Sequence, residues 1–361
     1  MSLRDGAMHK AALIASVLVF ALADASAAAP GFDSHLFSLV ADVKLGPAAN
    51  RIDYQSLDPV AKRLYVSLMG AGKLLVFDIA SNRPLQQLDN FPKVTGVLAV
   101  PELHRVYASV PGAGLGPSLS VGLGMLGLSS GHGAVAIVES DGLREIARLP
   151  GGVFPDGIAF DPKDNKIFVS DEMGSAVSVI DPAANRLVAR IAAGGEVGNV
   201  QYDRTTAKLY APIQTKDELA VFDAAGNRRT GGYPLAGCKH PHGLAIAPGA
   251  AIGYVACDEN DVLVTVDLKT GNELGRLPLG HDPDVLAMDA GLKRLYVASE
   301  SGNLAAFDVA IPAAPVSLGI GFIAKGAHSV AVDPATHYLY LPLADAGGAS
   351  VMRILAPKAA P

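Results

Sequence analysis

Tryptophan is absent from this chain of 361 residues, and cysteine occurs only at Cys238 and Cys257. The missing tryptophan carries little meaning, but other absences narrow the function. No run of lysine or arginine exceeds two residues, and the net charge of -6 gives a pI near 5.8. The electrostatic footprint of a nucleic-acid binder is therefore missing. The two cysteines do not form C-x-x-C-H, so covalent haem attachment is unsupported. A phosphate-binding loop and a classical hydrolase triad are equally unsupported. A spanning helix needs ~20 apolar residues, whereas the apolar stretch near the N-terminus, Ala11–Ala23, has 13.

That stretch has a different reading. Arg4 and Lys10 precede it and the small residues "DASAAAP" follow it. This is the layout of a secretory signal peptide, with cleavage after Ala23 or Ala27, and no cysteine follows to accept a lipid. Removing 1–27 takes away Arg4, Lys10, Asp5 and Asp24, so the mature chain, 28–361, keeps a charge of -6. The expected product is a periplasmic or secreted monomer with no transmembrane anchor. In an oxidising compartment Cys238 and Cys257 default to a disulfide, the alternatives being free thiols or thiolate metal ligands.

Self-comparison shows one phrase repeating. "PDGIAFDPKDNKIFVSDEMGSAVSVIDPAANRLVARI" (155–191) and "PHGLAIAPGAAIGYVACDENDVLVTVDLKTGNELGRL" (241–277) are its clearest copies. The aromatic opening the second strand is a ruler: Tyr65, Tyr107, Phe168, Tyr210, Tyr254, Tyr296, Tyr340, in steps of 42, 61, 42, 44, 42 and 44. Only the second step is long, and it holds an insertion at 111–133. Each copy reads as four short strands separated by turn signals. A four-stranded unit of ~40–45 residues in tandem predicts a β-propeller, here all-β with seven blades in one domain. The inner strands, such as "GLAIA", read as continuous apolar runs, as expected if neighbouring blades cover both faces. The last copy lacks a fourth strand, while "HLFSLVADVKLG" (35–46) has no blade of its own. That N-terminal strand is expected to close the seventh blade and remove a free edge.

At "YVSL", "FVSD", "YVAC" and "YVAS", each followed by a strand ending "VFD", "VID", "TVD" or "AFD", the chain resembles the YVTN-type β-propeller repeat family. The resemblance covers 36–354 and implies the propeller fold. No repeat carries asparagine at the fourth position, Asp171 coming nearest.

One residue leads into each inner strand: Asp53, Thr95, Asp156, Gly198, His242, Asp284 and His328, for blades one to seven. In a propeller these form a ring at one mouth of the central channel. His242, Asp284, His328 and Asp53 then make an arc across four neighbouring blades, faced by Asp156. Imidazoles and carboxylates converging on one axis suit Zn²⁺, Mn²⁺ or Fe²⁺ rather than Ca²⁺. These four are the expected metal ligands. The bland alternative for each is a polar residue that caps a strand and meets channel water. His240 and His281, slightly earlier in the connections, are either partners that orient ligands or solvated loop histidines. His35, His104 and His337 receive no role. Cys238 and Cys257 fall at the meeting ends of one hairpin, so a bridge would hold "KHPH" rigid.

The insertion, "PGAGLGPSLSVGLGMLGLSSGHG", contains a G-x-G-x-x-G match at 122–127, but a blade loop is not the strand-to-helix context of a dinucleotide site. Its apolar residues suggest a lid over the mouth or a sticky mobile loop. His132 at its end is a candidate catalytic group. Asp171, Glu172, Asp258, Glu259, Glu300 and Asp345 are expected on the rim, with Glu300 and Asp156 as further acid–base candidates. Two functions follow. One is a metal-dependent hydrolase or lyase acting on a small molecule, analogous at fold level to gluconolactonase-like lactonases and the peptidylglycine amidating lyase. The other is a non-catalytic propeller that binds a small ligand or a protein partner at the same face.

Overall fold

A computed structural model describes residues 35–111 and 133–358. The expected signal peptide at 1–27, residues 112–132 of the insertion, and with them His132, lie outside the described residues.

The described residues form seven four-stranded antiparallel sheets, each one blade. In blade three the strands are Pro155–Asp161, Lys166–Asp171, Ala176–Asp181 and Arg186–Ala192, in sequence order from the axis outward. All seven ruler aromatics are buried, none more than 1% exposed. They fill the gaps between neighbouring sheets, which is why the ruler keeps its period. The seal is tightest at the second and third strands, not at the innermost one as expected. Inner strands such as Pro283–Asp289 keep half-buried positions because they border a channel cavity of about 260 Å³. A ring of seven strands cannot close to a point, so its inner edge stays open.

The turns away from the mouth repeat one device. The aspartate ending the inner strand accepts backbone amides two and three residues on. Asp58 holds Val60 and Ala61, Asp161 holds Lys163 and Asp164, and Asp203 holds Thr205 and Thr206. Each of these turns ends on a left-handed residue, Lys62, Asn165 or Ala207. The aspartates thereby satisfy amides that a tight turn leaves unpaired. His104 and His337 occupy the same left-handed position in blades two and seven, so neither reaches the ring.

Blade seven closes as expected. Its strand order is Phe37–Pro47, Ala349–Pro357, Leu339–Leu343, Ala331–Val332, with Phe37 opposite Pro357. Arg353, 1% exposed, clamps the joint through two bonds to Asp42, at 2.8 and 2.6 Å, and one to the Ile323 carbonyl.

Candidate functional site

What aims three of the ring residues, Asp156, His242 and Asp284, is a register shift that the sequence did not disclose. In blade five, Pro241 pairs with Cys257 and Leu244 with Val255, so His242 and Gly243 together oppose one residue. Blade three does the same at Asp156 and Gly157, and blade six at Asp284 and Val285. A bulge of this kind redirects a side chain out of the pleat. It also frees a carbonyl: His242 accepts from the Asn199 amide, and Asp156 from the Ser109 hydroxyl. The neighbour must come close, and a Cβ on Gly198 would stand 2.6 Å from the His242 carbonyl oxygen. That explains glycine at the blade-four ring position. Thr95 is likewise structural, donating its hydroxyl to the Pro155 carbonyl at 2.8 Å.

The remaining ring residues converge. A cavity of about 560 Å³ at the channel mouth is lined by Asp53, Asp156, His242 and Asp284. His328, 4% exposed at its side chain, stands behind Asp284 with Nδ1 2.7 Å from the carboxylate. The Asp284 carboxylate also lies 3.5 Å from His242 Nε2, so it sits between the two imidazoles. Its Oδ1 is buried without a hydrogen-bond partner.

His328 uses both ring nitrogens, because Nε2 bonds the Ile52 carbonyl at 2.6 Å. A carbonyl only accepts, so Nε2 carries a proton, and the carboxylate favours a second one on Nδ1. Burial alone would lower this pKa, but the Asp284 hydrogen bond and charge, then Glu300 and Asp53, push it up to about 9. Asp284 shows the converse. Burial raises its pKa, yet His328, His242 and Arg51 together hold it below the usual carboxylate range. Asp53 is pushed up to about 6 by burial and by Asp284, against the pull of His328, Arg51 and His242. Asp156 is driven well above the carboxylate range by burial, with Glu172 and Asp53 adding to it. His242 is raised because Asp284, Glu172 and Asp156 outweigh its burial. The mouth therefore retains protons.

Other expectations separate. Glu172, Asp258 and Glu300 line the cavity. Glu259 and Asp345 are exposed on loops. Asp171 is not a rim charge: it is fully buried, paired with Arg190 and accepting from the Val153 and Phe154 amides. His240 bonds Asp258 through Nδ1 at 2.8 Å and lines the cavity, whereas His281, 78% exposed, meets Asp261 in solvent. Cys238 and Cys257 form a disulfide with a Cα separation of 5.3 Å, so neither is a thiolate ligand. It ties the segment before His240 to the end of the partner strand.

Arg51 was missed. Its guanidinium holds Glu300 at 2.7 Å and approaches Asp53 at 3.5 Å. The signal was available, since Arg51 stands two residues before Asp53 as His240 stands before His242 and Asp282 before Asp284. A second ring, offset by two, supplies the outer lining. Tyr54 was missed too. It lines both the mouth and the channel cavity beneath, and burial plus Asp284 and Asp156 keep its hydroxyl protonated.

Among the described residues one group brings three metal-type donors together: Asp284, Glu300 and His328, with one ligand atom each, mutually within 4.8 Å. It overlaps the expected set at Asp284 and His328, and adds Glu300.

Fold and mouth together define the class: a seven-bladed, four-stranded β-propeller with an acidic, histidine-bearing channel mouth. No protein-family model matches the chain, and no curated protein matches it; the YVTN-type likeness remains one of repeat motifs. Among solved structures the chain is similar to Kuenenia stuttgartiensis hydrazine synthase, at 15% identity and a TM-score of 0.69, covering 88% of this chain and 98% of that one. At that identity the likeness speaks for the propeller fold alone.

Proposed function

We propose that this is an exported propeller that binds a small molecule together with a divalent transition metal at the channel mouth. It would act on that molecule as a metal-dependent hydrolase of lactonase type, or as a lyase. Asp284 carries the reading, a carboxylate set between two imidazoles with one buried oxygen left without a donor. Asp284, Glu300 and His328 would hold the ion, with His242 and Asp53 beside them, a nitrogen–oxygen set that suits Zn, Mn or Fe. Ligation by His328 requires Nδ1 to give up its proton. Such an ion polarises a carbonyl or lowers the pKa of bound water to ~7.

The chain's own residues move protons around it. Asp53, with a pKa of about 6, exchanges a proton near neutrality. Asp156, its pKa pushed up by burial and by Glu172, is a further acid–base candidate on the opposite wall. Arg51 fixes the Glu300 carboxylate. Export to the periplasm or beyond is supported by the Cys238–Cys257 disulfide and the leader sequence. Among the described residues no helix is long and apolar enough to cross a membrane.

The non-catalytic reading is favoured by one observation, that both ring nitrogens of His328 are already bonded within the protein. Metal analysis of the purified chain separates the two. Stoichiometric metal that disappears in the His242→Ala, His328→Ala double variant, with ester or lactone turnover lost to chelator, upholds the enzyme. Metal-free, folded, inactive protein leaves binding alone.

A further inference from the structure

The mouth is charge-balanced on one side only. Arg51 serves Glu300 and Asp53, His240 serves Asp258, and His242 and His328 share Asp284. Across the cavity, Asp156 and Glu172 form a wall that His242 reaches only through its charge, with no salt bridge to either carboxyl group among the described residues. Among the described residues Glu172 is met only by the neutral Gln214 amide, at 3.0 Å. Asp156 is 4% exposed and faces the cavity, and while its backbone carbonyl accepts from Ser109, its side-chain carboxyl group receives no hydrogen bond or ion pair from any described residue. Burying a carboxyl group without a partner is costly, and here the bulge in blade three places it there. Phe154 and Met173 complete this part of the lining.

The spacing argues against a second metal. Three donors converge once among the described residues, and neither Asp156 nor Glu172 belongs to that group. Two carboxyl groups beside an aromatic ring, with the Asp156 proton leaving to solvent as a cation arrives, suit instead a larger cation with several N–H donors and a carbon skeleton. We infer that Asp156 and Glu172 form a subsite for the ammonium head of a small organic cation, with Phe154 and Met173 against its carbon chain. This rests on the reading that the mouth binds a small molecule, and it assigns that molecule's charge.

Titration calorimetry on the full chain tests it with n-butylammonium, butyrate and butanol, before and after chelator treatment, with metal content measured in parallel. The expected result is saturable binding of butylammonium and none of the other two. Asp156→Asn and Glu172→Gln should each weaken it by ~10–100-fold, as loss of a charged hydrogen bond does, while circular dichroism and metal content stay unchanged. Metal-loaded wild type that gives no butylammonium binding overturns the subsite and leaves the metal reading standing. Equal affinity in wild type and both variants, or preference for butyrate, overturns it as well. Metal-free protein that binds butylammonium normally upholds the subsite and refutes the metal.

Discussion

Aspartates stand at both ends of the channel, and the two ends treat them differently. At the far end Asp58, Asp161, Asp203, Asp289 and Asp333 each accept backbone amides from the turn that follows. At the mouth the Asp156 carboxyl group accepts from no described residue and Asp53's meets only Arg51 at 3.5 Å, while Asp284 leaves one oxygen bare, as Asp161 also does at the far end. Residue type is the same and the two sets flank the same inner strands; the supply of donors differs. A carboxylate surrounded by N–H groups is cheap to bury and stabilises the fold, whereas one without them keeps its bonding capacity for something that arrives later.

Three substitutions would break or sharpen that contrast. The largest effect belongs to the far end. Asp289→Ala leaves the Leu292 amide and His337 Nδ1 without their acceptor, and denaturant unfolding should show a loss of about 3 kcal/mol. An equal loss at Asp156 would erase the distinction. Next is the pH dependence of the mouth, measured on chelator-treated protein. The folded pKa of His328, about 9, lies above its ordinary 6.5. Its stabilisation is therefore complete below pH 6.5 and is lost as pH rises through 9. Unfolding free energy should fall across that window by on the order of 2–3 kcal/mol, and His328→Gln should flatten the slope. A wild-type profile flat from 6.5 to 9 would mean that the Asp284 pairing is absent. The smallest effect is a gain. Asp156 has a raised pKa, so its ionisation opposes folding as pH climbs. Asp156→Asn should stabilise the protein by roughly 1 kcal/mol at pH 8 and leave it unchanged at pH 3, as thermal melts would show.

The blade period, the buried aromatic in each copy, the closing strand and the ring positions were legible because each repeats or is missing at a countable place. Tyr65 through Tyr340 mark a spacing that backbone geometry enforces, and spacing survives in sequence. Direction does not. Nothing in "PHGLA" or "PDGIA" announces that His242 and Asp156 sit on bulges, since a bulge is a relation between two strands. For the same reason Asp171 and Asp258 looked alike as loop acids, although one is buried against Arg190 and the other faces His240. Arg51 is less conspicuous because its offset ring, Arg51, Lys93, Phe154, Glu196, His240, Asp282 and Gly326, shares no common chemistry from blade to blade.

The Arg353–Asp42 clasp joins residues 311 positions apart. Assembly of the toroid must therefore wait until the strand that carries Arg353 has been made, because the first strand has no sheet to join until then. Contacts of such long range slow folding, and until they form the seventh blade presents an open edge to every other nascent copy. Shortening the C-terminus past Ile354 would be expected to leave the molecule unable to lock.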